Sequence, residues 1–266
     1  MPKVLANGID ITYRVGGAGP RVLFISGSGG DLRSSRSVFE GPLPESFEVL
    51  SYDQRGLGQT AKPEGDYTMA DYAADADALL ESLAWPAALV VGVSFGGMVA
   101  QELAIRFPRR VRALVLACTS SGGKGGASYP LHELRHLDRD DRLARQLVLA
   151  DLRRDVAWRA RYPERMQRLL VMPRGAERRD RDLEGAARQL AARADHDTWK
   201  RLPRIEMPVL VVGGLHDGIA PPANLEAIAS QVPRAELQLF DGGHLFLVQD
   251  KNAYPYLIDW LNRQAN

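Results

Sequence analysis

The sequence predicts an α/β protein in which a mostly parallel sheet is covered by helices on both faces. Two observations carry that prediction. Short apolar runs alternate with helix-period segments along most of the chain, and several of the runs are apolar at nearly every position, as strands buried on both faces must be. In addition, 266 residues with 45% hydrophobic content can build a sizeable buried core.

The elements follow in order. Val4 to Ala6 and Ile9 to Val15 flank Asn7-Gly8, a pair that tolerates the positive φ of a tight turn, and so read as a hairpin. RVLFIS is a short strand ending in the glycine-rich loop SGSGGD, and FEVLSYD is a strand ending in QRGLGQT. TMADYAADADALLESL places apolar residues at helical spacing behind Thr68, which serves as N-cap. AALVVGV, GMVAQELAIRF and VRALVLACT then read as strand, helix and strand. After residue 202 the alternation resumes with MPVLVVGG, the helix PPANLEAIASQV, the strand AELQLF and a closing helix around NAYPYLIDWLNRQ.

Residues 121–202 differ in texture. They show no strand-like run but several helical stretches, RLARQLVLADL, PERMQRLLVM and DLEGAARQLAARA, with 17 Arg and 2 Lys against 13 Asp and Glu. The expected organisation is a core of residues 1–120 and 203–266 with an inserted helical lid, 121–202, over the carboxyl ends of the strands, where such sheets bind ligands. The excess of arginine reads more simply as solvated faces of amphipathic helices than as a funnel for anions. Trp158, Met166 and Met172 in this segment either line a pocket or pack the helices, packing being the simpler role.

Composition narrows the function classes. A net charge of +1 gives no field to draw in nucleic acid or a membrane surface. Cys118 is the single cysteine, which excludes an internal disulfide framework and a multi-cysteine metal cluster and suits a reducing cytoplasm. The N-terminus lacks a signal peptide's apolar stretch, and no run approaches the roughly 20 apolar residues of a membrane span. A soluble, cytoplasmic protein is expected. The loop SGSGGD lacks both the P-loop lysine and the spacing of a dinucleotide fingerprint, which argues against nucleotide binding.

The chemistry concentrates at the ends of strands. In LVVGVSFGG, Ser94 is the first residue past an apolar strand, and Gly92 and Gly96 on either side let strand and helix approach closely enough for a sharp turn that exposes the hydroxyl. A serine hydroxyl is a poor nucleophile at neutral pH, so a base must stand within hydrogen-bond reach. Of the five histidines, His132 and His136 share i, i+4 spacing with no third ligand and read as a solvated helix face, and His196 reads as a packing or capping residue. His244 follows Asp241-Gly242-Gly243 in a loop after the strand LQLF, where a base facing Ser94 must stand. Asp217, just past LVVGG, can orient that imidazole, while its neighbour His216 is incidental. The order Ser94, Asp217, His244 belongs to one particular arrangement of this constellation. The Ser28 and Phe95 amides complete it as donors to a developing oxyanion.

On these residues the chain resembles the α/β-hydrolase superfamily over nearly its whole length. GVSFGG is similar to the nucleophile elbow, SGSGGD to the oxyanion loop, YDQRGLGQT to the loop after the fourth strand, GGLHDGIAPP to the acid turn and GGHLFLVQD to the histidine loop. The resemblance implies the α/β-hydrolase fold, an eight-stranded, mostly parallel sheet. It also implies that Asp53 and Arg55 are structural rather than catalytic. SGSGGDLR and MVAQELAIRFPRRVRALVLACT further resemble 3-oxoadipate enol-lactonases, although Ser26-Gly27 stands where many members carry His-Gly. Ser94 in place of aspartate departs from the haloalkane dehalogenases and epoxide hydrolases. The expected activity is hydrolysis of a small carboxylic ester, lactone or thioester through an acyl-enzyme on Ser94, without metal or organic cofactor. The partner is a small-molecule ester or lactone, and the protein is a monomer or a homodimer. The alternatives are a C–C bond hydrolase of the same fold and a ligand-binding member without turnover.

Overall fold

The computed structural model describes residues 1–34, 37–176 and 183–265, the side chains of 171–176 excepted. The first hairpin joins β1 (Lys3–Ala6) to β2 (Ile9–Gly16) through Asn7 and Gly8, both at positive φ (49° and 74°). Further strands are β3 (Arg21–Ile25), β4 (Glu48–Tyr52), β5 (Ala88–Val93), β6 (Val111–Ala117), β7 (Val209–Gly214) and β8 (Ala235–Phe240). They form one eight-stranded sheet in the order β1-β2-β4-β3-β5-β6-β7-β8. The β1·β2 and β2·β4 pairs are antiparallel and all others parallel, so β3 to β8 end at the same edge of the sheet.

Period-two alternation assigns each strand residue to a face. Val90, Leu114, Leu116, Val209 and Val211 pack on one side with α1 (Met69–Ser82), α2 (Phe95–Arg106) and α7 (Pro222–Gln231). Leu89, Val91, Val115, Leu210 and Val212 pack on the other with Leu257, Trp260 and Leu261 of α9 (Ala253–Ala265). Both sets are fully buried, each large aliphatic side chain contributing on the order of 1.5–3 kcal/mol, and the result is a rigid platform under the strand ends. Thr68 caps α1 through a reciprocal pair with Asp71: its hydroxyl oxygen accepts the Asp71 amide (3.2 Å), and the Asp71 carboxylate accepts the Thr68 amide (2.8 Å).

Between β6 and β7 the chain runs through α3 (Arg139–Leu149), α4 (Val156–Arg161), α5 (Pro163–Ala176) and α6 (Leu183–Ala194). The short α4 was not evident from periodicity. His132 and His136 lie in a 3-10 turn, Leu131–His136, not on an α-helix. At three residues per turn, positions four apart point about 120° apart, so His132 turns inward while His136 stays exposed. Met166 is buried and Trp158 packs its ring against Tyr162 at 5.5 Å. The Met172 side chain lies outside the described residues. Among the described residues no helix is long and apolar enough to cross a membrane.

Candidate active site

Ser94 joins β5 to α2 at φ 56° and ψ −117°, a conformation that costs a non-glycine residue about 1–3 kcal/mol. Its surroundings hold it there. The Ser94 amide donates to Ala117 O (2.8 Å), and its carbonyl accepts from the Gly97 and Met98 amides (2.9 and 3.3 Å) and from the Thr119 hydroxyl (2.8 Å). The flanking glycines are required by contact: a Cβ on Gly92 would stand 2.4 Å from Gly96 O, and one on Gly96 would stand 2.0 Å from Ile25 O. The turn therefore brings α2, β5 and the end of β3 into backbone contact and leaves the hydroxyl at the sheet's carboxyl edge.

Asp217 stands just past β7 and His244 just past β8. The structure brings both to Ser94. His244 Nε2 lies 2.9 Å from Ser94 Oγ, and His244 Nδ1 lies 2.7 Å from Asp217 Oδ2. The other carboxylate oxygen accepts the Ile219 and Ala220 amides (2.7 and 3.0 Å), which fixes the orientation of a side chain without solvent exposure. With Nδ1–H committed to the carboxylate, Nε2 is left to accept the serine proton. His216 instead faces Asp241, at 3.3 Å.

The two loops are also tied to the helical segment. At the end of α3, Leu149 O accepts the Gly218 amide (2.9 Å), Ala150 O accepts the His244 amide (2.7 Å), and the Leu152 amide donates to His216 O (2.9 Å). Beneath them Gln249, the last residue of α8 (Phe246–Gln249), accepts the Gly243 amide (2.7 Å) and donates to Asp151 (3.0 Å). Burial alone would raise the Asp151 carboxyl, but the bonds and charge of Arg153 outweigh it and hold the group below the usual carboxylate range.

Ser28 and Phe95 belong to the two elements that meet at Ser94, the loop after β3 and the start of α2. Gly27 packs on Ser94, a Cβ there standing 3.9 Å from Ser94 Oγ, and Phe95 opens α2, where backbone N–H groups and the positive end of the helix dipole converge. Among the described residues, neither the Ser28 nor the Phe95 amide donates to a protein group, so both are available to an incoming oxygen. The loop is braced at neighbouring positions. Gly29 donates to Gln189 of α6 (2.9 Å), Gln54 donates to Ser26 O (2.7 Å), and Asp53 accepts the Leu32 and Gln59 amides (2.7 and 2.8 Å). Asp53 thus acts as a strut, the structural part its loop suggested. Gln54, Gln189, Asp151 and Gln249 were not singled out from sequence, because each is a polar residue whose partner is remote along the chain.

Cys118, Asp217 and His244 bring potential metal ligands within 4.8 Å of one another. Their chemistry fits hydrogen bonding better than ligation. Both Asp217 oxygens and the His244 Nδ1 are engaged, and burial together with the Asp217 charge pushes the Cys118 thiol up, so it keeps its proton.

Comparison with known proteins agrees with the fold. A family model described as alpha/beta hydrolase fold matches residues 20–172 and 173–251. The chain is 27% identical to 3-oxoadipate enol-lactonase 2 of Acinetobacter baylyi over 84% of its length and 81% of that protein. It is 29% identical to a poly(3-hydroxyalkanoate) depolymerase of Ectopseudomonas oleovorans over 91% of its length and 84% of the depolymerase. The crystal structure of the enol-lactonase from Burkholderia xenovorans LB400 superposes with a TM-score of 0.78 at 26% identity, over 98% of this chain and 100% of that one.

Proposed function

This chain belongs to the alpha/beta hydrolase fold family, and within it we propose a serine hydrolase acting on small carboxylic esters, lactones or thioesters. One observation carries the reading: an unbroken relay from Ser94 Oγ through His244 to the buried Asp217, at 2.9 and 2.7 Å. As Oγ attacks the substrate carbonyl, His244 Nε2 takes its proton, and Asp217 steadies the imidazolium through Nδ1–H. The Ser28 and Phe95 amides receive the charge that develops on the carbonyl oxygen. Collapse of the tetrahedral species transfers the proton from His244 to the departing alcohol. Water, deprotonated by the same imidazole, then releases the acid from Ser94.

In this reading residues 121–202 are a lid over a core of 1–120 and 203–266, its hydrogen bonds to both catalytic loops supporting that role. No metal or organic cofactor takes part. The buried, unpaired Cys118 fits a cytoplasmic setting. The enol-lactonases among the relatives support a lactone within the substrate range.

A fluorophosphonate probe and a panel of 4-nitrophenyl esters of increasing acyl length test the reading. Ser94 is expected to be labelled, and Ser94→Ala to lower kcat about 10⁴-fold or more. Ester turnover that survives in Ser94→Ala would overturn the assignment. Cleavage of a β-diketone-type compound without ester turnover would move the chemistry to C–C bonds.

A further inference from the structure

A cavity of about 90 Å³ lies beneath the helical segment, its wall including Met98, Ser120, Ser128, His132, Arg193 and His196. Ser94 is not on its wall, but two wall residues stand one helical turn from the site: Met98, which donates its amide to the Ser94 carbonyl, follows Ser94 along α2, and Arg193 follows Gln189, which accepts the Gly29 amide, along α6. A single water needs roughly 10–15 Å³ of such volume, so the space holds a group of several heavy atoms.

One side chain on this wall is held in an unusual way. Arg193 is only 5% exposed, and its Nη1 donates to Tyr129 O (2.8 Å). Nε and Nη2 are buried with no hydrogen-bond partner, and among the described residues no carboxylate comes within ion-pair distance. Burial draws its pKa down to about 10, with the Asp217 charge opposing, so the guanidinium is still charged at neutral pH. Nε and Nη2 form the edge that grips a planar carboxylate with two parallel bonds, and Arg55 uses the same two atoms to hold Asp75 at 2.7 and 2.6 Å. In Arg193 this edge is vacant.

We propose that Arg193 is a substrate-binding residue that receives a carboxylate, so that the favoured ester carries an acid group at the end remote from the scissile bond. The inference rests on the hydrolase reading for its substrate. The size and charge of the cavity select the ligand. Arg193 is the one lysine or arginine on the wall, and His196 is held neutral by burial, its pKa lowered to about 4. A planar monoanion balances the guanidinium charge and matches its open two-donor edge. Ser120 and Ser128 line the same space and share a hydroxyl hydrogen bond at 2.8 Å, supplying a neutral polar wall beside the guanidinium.

The experiment compares mono-4-nitrophenyl glutarate with 4-nitrophenyl pentanoate, which match in acyl length and differ in the terminal carboxylate. The wild type is expected to favour the anionic ester in kcat/KM by about tenfold or more. Arg193→Met should bring that ratio to near one, and Arg193→Lys should keep part of it, as removal of a charged hydrogen bond implies. A wild-type ratio at or below one, or a ratio unchanged in Arg193→Met, would overturn the proposal while leaving the hydrolase reading standing. If neither ester is hydrolysed, the hydrolase reading fails on its own. Calorimetric titration of free glutarate then decides: binding weakened at least tenfold by Arg193→Met supports the site, and wild-type affinity unchanged or absent refutes it.

Discussion

Two arginines are buried to a similar depth, and the fold treats them in opposite ways. Arg55, in the loop that follows β4, is 8% exposed and bonded twice to Asp75, with Asp71 at 3.7 Å; Asp75 is steadied in turn by Asn7 (2.8 Å). Burial works to lower the Arg55 pKa, but the hydrogen bonds and charge of Asp75 outweigh it, and the pKa is raised. Arg193, on the wall of the cavity beneath the helical segment, keeps a single backbone carbonyl as partner. Burying an unpaired ion costs several kcal/mol, so a charge left uncompensated must be offset elsewhere in the fold. The difference teaches that a satisfied buried charge belongs to the framework, whereas an unsatisfied one on a cavity wall is poised for something that arrives.

The contrast can be broken by measurement. The largest effect is expected for Arg55→Met, which strands Asp75 and Asp71 and should lose about 3–5 kcal/mol in urea unfolding; a loss below 1 kcal/mol would remove Arg55 from the framework. The next concerns His196, on the cavity wall with Glu102, Arg201 and Asp197 as charged neighbours. Its folded-state pKa lies below the unfolded value of 6.5, so the unfolded chain takes up the proton first. Its contribution is therefore whole above about pH 6.5 and is lost as pH falls toward about 4, on the order of 3 kcal/mol in all. His196→Gln should flatten this part of the stability profile between pH 7 and pH 4. A slope identical to wild type would mean that His196 is not held neutral.

The smallest effect sharpens the comparison by its sign. Arg193→Met removes an uncompensated charge and should leave the protein equally stable or more stable by about 1–2 kcal/mol, seen as an unchanged or higher Tm. A destabilisation matching that of Arg55→Met would make the two arginines equivalent.

Much of the sheet was legible because its signals are local. Runs such as LVVGV are apolar on both faces, so their burial is written into consecutive residues, and their alternation with helices marks a mostly parallel sheet, whereas the order of the strands, with β4 between β2 and β3, is not written there. The elbow was legible for a related reason. Gly92, Ser94 and Gly96 lie within five positions, and their geometry depends on one turn. The six-residue α4 was not legible, being too short to display a period, and the i, i+4 pair His132 and His136 misled because 3-10 winding separates positions that an α-helix would align.

By itself, then, the sequence determined which residues could serve as nucleophile, acid and base, since each is marked by its own strand end. Only the tertiary structure decided what surrounds them. Gly29 meets Gln189 160 positions along the chain, and Gln249 meets Asp151 98 positions away. Arg193 and Gln189 sit four apart in α6, a pairing that sequence reads as an ordinary polar helix face. The physical reason is that a polar side chain's worth depends on whether water or protein covers it. That is settled by how the helical segment packs across the strand ends and has no counterpart in the pattern of neighbouring residues.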